Sequence, residues 1–163
     1  MIDFEKLLSA LGSSTVDFVI IGGVAATVYG SSRLTSDLDI VYSRTPENLR
    51  RLAEALVPMA PYLRGAPPGL PFKFDSETLR RGLNFTLTTT AGPIDLLGEL
   101  TGVGDYRAVY QTSVEVSLFS SQYRCLTLDA LIISKRAAGR PKDLEAVAEL
   151  ETIRDESGRA QRE

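Results

Sequence analysis

The sequence predicts an α/β (α+β) domain, a small mixed β-sheet with flanking helices and two helices at the C-terminal end. Three observations lead there. Val16 to Ile21 is an apolar run without alternation, as in a strand covered on both faces, and it feeds directly into Gly22-Gly23. Leu83 to Thr89 alternates apolar Leu83, Phe85 and Leu87 with polar Asn84, Thr86 and Thr88, the period of a half-buried strand. Four other stretches repeat their apolar residues at helical spacing.

In chain order, Ile2, Phe4, Leu7, Leu8 and Leu11 place a helix over 3–12, ending near Gly12. The strand 16–21 follows, then a short helix over 24–29 closed by Gly30. Leu38 to Tyr42 is a second strand. Pro46 opens a helix that Leu49, Leu52, Ala53 and Leu56 carry to about Val57. The Pro/Gly-rich stretch Arg64 to Pro71 reads as a loop long enough to border a site. Phe72 to Phe74 is expected as a short strand, with Ser76 capping a brief helix through Arg81. Ala91-Gly92-Pro93 turns the alternating strand back into Ile94 to Leu97, a hairpin. Tyr106 to Gln111 is helical; Val114 to Leu118 and Tyr123 to Leu126 are strands. Thr127 caps a helix over 128–138 that Gly139 stops, and Arg140-Pro141 starts the last helix. One domain is expected over 1–155, with a frayed polar tail over 156–163.

The composition narrows the chemistry. A 163-residue chain with 44% hydrophobic and 24% charged residues supports one domain with its own core. No apolar run approaches the ~20 residues of a membrane span. The opening Met-Ile-Asp-Phe-Glu-Lys is acidic and unlike a secretory signal, and the single Cys125 fits a reducing cytoplasm. There is no histidine, which excludes Ser-His-Asp and Cys-His catalysis and His-based zinc sites. Acid–base or metal chemistry must then rest on carboxylates, lysine, tyrosine or arginine, and carboxylates alone favour Mg²⁺ or Mn²⁺. The net charge of −3 gives no global signal for nucleic acid, although Lys135, Arg136, Arg140 and Lys142 cluster.

Gly22-Gly23 lies where a strand meets a helix. Glycine there admits close approach of a ligand, and the helix start offers free N–H groups to an anion; a tight packing turn would look the same. Ser31, Ser32, Arg33 and Thr35 follow and are candidates for phosphate contacts. Asp37 and Asp39 flank one apolar residue. On a strand, residues i and i+2 share a face at roughly 6–7 Å, so both carboxylates can reach one divalent ion. Solvated carboxylates on an edge strand are the alternative. Asp95, enclosed by apolar neighbours on a later strand, can join them across a ladder spacing of ~4.8 Å. Three converging carboxylates can hold two Mg²⁺ ions, with Asp95 as general base or as ligand of the ion that activates the nucleophile.

This order of Gly22-Gly23, helix, Asp37-x-Asp39 and distant Asp95 resembles the DNA polymerase beta-like nucleotidyltransferase superfamily. Within it, Gly-Gly-Val-Ala together with Arg33-Leu-Thr-Ser-Asp-Leu-Asp-Ile is similar to the bacterial AbiEii-type enzymes, including type IV toxin–antitoxin nucleotidyltransferases. The segment Leu131 to Leu144, with Lys135 on one helix and Arg140-x-x-Asp143 after it, is similar to their C-terminal motif. The resemblance implies a nucleotidyltransferase fold and Mg²⁺- or Mn²⁺-dependent transfer of NMP from an NTP. Asp37, Asp39 and Asp95 would bind the metal. Gly22 and Gly23 would hold the triphosphate, and Lys135 with Asp143 would support nucleotide or substrate. It further implies an acceptor such as tRNA and a cognate antitoxin, with no membrane or DNA partner.

Three other readings compete: nucleotidylation of a small hydroxyl compound such as an antibiotic, a non-catalytic nucleotide-binding module of the same fold, and a carboxylate nuclease. Only the last leaves the Gly-Gly turn without a task.

Overall fold

A computed structural model describes residues 1–162. Asp3 caps the first helix, α1 (Phe4–Ser13), by accepting a hydrogen bond from the Lys6 amide. Leu7, Leu8 and Leu11 of this helix are buried. Strand β1 (Phe18–Ile21) is buried along its whole length and runs without a linker into α2 (Gly22–Val28). Strand β2 (Leu38–Tyr42) follows, then α3 (Pro46–Leu56), capped by Thr45 and extended by a 3₁₀ turn through Met59.

The Pro/Gly-rich stretch is entered through β3 (Tyr62–Leu63), a short strand that composition does not announce. Phe72 to Phe74, expected as a strand, is irregular. Pro71 supplies no ladder N–H, and Phe72 instead sets its ring edge-on to Tyr62 at 6.1 Å. Helix α4 (Ser76–Arg81) is capped by Asp75, one residue before the expected Ser76.

The hairpin of β4 (Phe85–Thr88) and β5 (Ile94–Leu97) forms as expected. A two-stranded ribbon of β6 (Glu99–Leu100) and β7 (Gly104–Asp105) leads into α5 (Tyr106–Gln111). A second hairpin joins β8 (Ser113–Leu118) to β9 (Ser121–Leu126) through Phe119-Ser120. Thr127 caps α6 (Leu128–Ala138), Gly139 ends it in a left-handed conformation, and α7 (Pro141–Arg162) closes the chain. Residues 156–162, read as a tail, continue α7 while remaining largely exposed, because Glu, Arg, Ala and Gln suit a solvated helix. Glu163 lies outside the described residues.

The main sheet has seven strands in the order β3-β4-β5-β2-β1-β9-β8. It is mixed: β2 runs parallel to β5 and antiparallel to β1, and β1 runs parallel to β9. The central strands are the most apolar, with Val19, Ile20, Leu38, Ile40, Val41 and Leu96 fully buried. Helix α2 packs on β1 and β2 and against α6, and α6 packs against α7. Asn48 of α3 is a buried polar clamp. Its Oδ1 accepts from the Asp17 amide at 2.7 Å, and its Nδ2 donates to the carbonyls of Asp17 and Ser43. These bonds tie the entrance of β1 to the exit of β2 and so fix the sheet's centre.

Candidate active site

The antiparallel pairing of β1 with β2 and the parallel pairing of β2 with β5 bring three chain segments to one end of the sheet. These are the end of β1 and the starts of β2 and β5. Ile21 faces Asp39 in register, and Asp39 faces Asp95. Asp37 precedes β2 by one residue and shares the face of Asp39. Each of the three carboxylates has an oxygen that lies within 4.8 Å of the others'. The expected convergence of Asp37, Asp39 and Asp95 is therefore present.

The crowding of the three carboxylates shows in the electrostatics of Asp39 and Asp37. Burial, followed by the charges of Asp37 and Asp95, pushes the Asp39 carboxyl up to about 8, with Lys135 opposing the rise. Burial and the Asp95 charge also raise Asp37, against the pull of Arg64. A set of hard oxygen donors with surplus negative charge fits Mg²⁺ or Mn²⁺.

Gly22 is required by shape. Its φ is +66°, and a β-carbon there would lie 2.1 Å from Oδ2 of Asp39. Gly23 is pressed similarly, since its β-carbon would meet the Thr35 hydroxyl at 2.5 Å. That hydroxyl donates to the Asp37 carbonyl at 3.1 Å, so Thr35 braces the acidic strand against the glycine turn.

Ser31, Ser32 and Arg33 are engaged with the last helix. The Ser31 hydroxyl donates to Glu149 at 2.5 Å, Ser32 also donates to Glu149, and Arg33 lies between Glu145 and Glu149. Glu149 in turn is held below its ordinary value, chiefly by the Ser31 bond. In the structure these three residues thus anchor the loop 31–36 to α7.

Across the opening from the acids stand Lys135 of α6 and Arg140 before α7. Asp143 is buried and joins them. Its Oδ2 accepts from the Arg140 backbone amide and from Nε at 2.6 Å, and Oδ1 lies 3.7 Å from the Lys135 ammonium. The Arg140 bond holds the Asp143 carboxyl below its ordinary value. Asp143 therefore orients two cations.

Two clefts meet at this point and share Asp39, Asp95, Lys135, Arg140 and Asp143. One, of about 380 Å³, is polar and adds Gly23, Arg33, Thr35 and Lys142. The other, of about 230 Å³, adds Gly22 and an apolar wall of Leu97, Leu100 and Leu131. Sequence reasoning missed Arg64, whose guanidinium lies 2.7 Å from Asp95 Oδ1 and 3.7 Å from Asp37 Oδ2. The only signal was the Pro/Gly-rich loop that it opens, which was long enough to border a site.

No protein-family model and no curated protein sequence matches the chain. Solved structures do match in fold. The chain is similar to the lincosamide antibiotic adenylyltransferase LnuA in its lincomycin-bound form, with a TM-score of 0.60 at 13% identity over 93% of this chain and 98% of that one. It is similar to ANT(2″)-Ia in complex with adenylyl-2″-tobramycin, with a TM-score of 0.57 at 15% identity, covering 98% and 96% of the two chains. A putative nucleotidyltransferase from Thermotoga maritima aligns with a TM-score of 0.53 at 14% identity over 98% and 96%. The fold is the nucleotidyltransferase fold, as the arrangement of glycines and acids in the sequence led one to expect.

Proposed function

We propose that the chain is a divalent-metal-dependent nucleotidyltransferase that moves an NMP from an NTP to an acceptor hydroxyl and releases pyrophosphate. The observation that carries this reading is the convergence of Asp37, Asp39 and Asp95 at the mouth of a cleft lined by cations. A nucleoside triphosphate has the complementary chemistry: anionic phosphates for the cations and for the Gly22-Gly23 turn, and a reactive phosphorus to be set beside the acids.

In this scheme a bond forms between the acceptor oxygen and the α-phosphorus, and the bond from that phosphorus to the β-phosphate oxygen breaks. Mg²⁺ or Mn²⁺ held by Asp37, Asp39 and Asp95 would supply Lewis-acid stabilisation of charge on the phosphates. Asp95 takes the acceptor's proton or ligates the ion on that side. Lys135 and Arg140, oriented by Asp143, neutralise the departing pyrophosphate. Gly22 and Gly23 admit the triphosphate close to the backbone. Through their hold on α7, Ser31, Ser32 and Arg33 set the outer wall of the polar cleft.

Two acceptor classes follow as alternatives within this proposal. The cations at the rim of the polar cleft, Lys142 among them, suit an RNA such as tRNA, and a toxin-like enzyme of that kind would come with a cognate antitoxin. The smaller cleft beside Asp95, with its wall of leucines, suits a small hydroxyl compound. LnuA and ANT(2″)-Ia, of the same fold, are structures with lincomycin and adenylyl-tobramycin.

Incubation with each labelled NTP, Mg²⁺ and either total RNA or a panel of small hydroxyl compounds tests the reading. Label in RNA selects the first acceptor and label in a small product selects the second. D37N and D39N are expected to lower either transfer by at least about 10³-fold while melting as folded proteins. Transfer retained by the double variant would overturn the mechanism, and a wild type that binds Mg²⁺–NTP but labels neither acceptor class would favour the non-catalytic nucleotide-binding module.

A further inference from the structure

Arg64 is placed by the sheet itself. Tyr62 pairs with Thr88 and Leu63 with Leu87 across β3 and β4. The Arg64 amide then donates to the Thr86 carbonyl at 3.0 Å, which carries the ladder one residue further. Thr86 faces Asp95, and Asp95 faces Asp39. Arg64, Thr86, Asp95 and Asp39 therefore form one row across four strands, and residues in one row present their side chains to the same face.

The Arg64 side chain reaches along this row over β4. Its Nη2 donates to the Leu87 carbonyl at 2.7 Å and stands 2.7 Å from Asp95 Oδ1, out of line for a good hydrogen bond. Its Nη1 lies 3.7 Å from Asp37 Oδ2, and its buried Nε has no partner. The segment that follows is fastened: the Tyr62 hydroxyl donates to the Pro67 carbonyl and accepts from the Leu70 amide. The contact with Asp95 is thus an ionic one, made by a backbone-anchored arginine that is incompletely hydrogen-bonded.

We propose that Arg64 is a built-in counter-cation of the Asp37–Asp39–Asp95 cluster, which holds the acids in place when no divalent ion is bound and competes with the ion for them. The proposal rests on the metal-dependent reading of this site. A guanidinium touching Asp95 and close to Asp37 stands next to any ion those carboxylates ligate. Two cations at such range in a partly desolvated cleft repel strongly, whereas each alone is attracted. Ion loading therefore requires Arg64 to draw back from Asp95, and free metal binds more weakly than three carboxylates alone would allow.

The test is Mn²⁺ titration of the nucleotide-free protein, followed by the electron spin resonance of unbound Mn²⁺. R64Q, which keeps the shape and loses the charge, is expected to bind Mn²⁺ about fivefold or more tightly than wild type, and R64K within about twofold of it. Unchanged or weaker binding by R64Q overturns the proposal. A second readout needs no loss of the arginine. The ¹⁵N signal of the Arg64 guanidinium in the wild-type protein, assigned with R64K, is expected to shift in step with Mg²⁺ binding, and a signal unmoved by saturating Mg²⁺ overturns the proposal. A wild type that binds no Mn²⁺ overturns the functional reading and the competition with it, whereas Mn²⁺ binding that R64Q does not strengthen overturns the role of Arg64 alone.

Discussion

Asp39 and Asp95 are register partners on the parallel strands β2 and β5, so the sheet forces two carboxylates together on one face. Their cost shows in the Asp39 carboxyl, raised from 3.8 to about 8 by burial and by the neighbouring charges of Asp37 and Asp95. A raised carboxyl binds its proton more readily in the folded chain than in the unfolded one. Its contribution to stability is therefore largest near pH 4 and is lost as pH rises through about 8. In EDTA, the Tm of wild type is expected to fall relative to D39N between pH 5.5 and 8.5, by about 4 °C or more. Mg²⁺ should restore the difference at the alkaline end. Parallel melting curves of the two proteins across that range would remove the proposed strain.

Gly22 gives Asp39 its room. An alanine there meets both a left-handed φ of +66° and the Asp39 carboxylate. G22A is expected to cost ~1–3 kcal/mol in urea unfolding and to lower transfer by about 10²-fold or more, because Asp39 must leave its position. Wild-type activity in G22A would show that the carboxylate can work from elsewhere.

Asp143 holds two cations from a buried position. D143A removes the acceptor for the Arg140 amide at the start of α7 and leaves Lys135 and Arg140 unanchored. The expected loss is ~2–3 kcal/mol in stability, with KM for the NTP raised about tenfold. Calorimetric melting and initial rates over a range of NTP concentrations read the two effects separately.

The β8–β9 hairpin turns on two residues with positive φ, Phe119 at 51° and Ser120 at 64°. Such a turn favours Asn-Gly. The double substitution F119N/S120G is expected to raise Tm by ~2–4 °C, about 1 kcal/mol, without changing transfer. Since Phe119 is exposed, little burial is lost in exchange.

Much of the fold was legible because its signals are local. Thr127 and Gly139 bound α6 at the residues where the sequence placed them, since a side-chain cap and a left-handed stop act within one turn. Leu38 to Tyr42 and Tyr106 to Gln111 were likewise readable from their own residues. What failed was short or depended on distant pairing. β3 exists because Tyr62 and Leu63 find Thr88 and Leu87, whereas the Phe72 amide turns back to the Leu70 carbonyl and residues 72–74 stay irregular.

The same division runs through the site. By itself the sequence determined which groups are available: no histidine, three acids set among apolar residues, and a glycine pair beside the first two. Residue type and short spacing carry that information. Only the tertiary structure decided which groups meet. It set Asp95 beside Asp39, turned Ser31 and Ser32 toward Glu149, buried Asp143 beneath Lys135 and Arg140, and brought Arg64 across β4 to the acids. Those contacts join residues that are far apart in the chain, and their distances are fixed by strand register and helix packing, which no local spacing encodes.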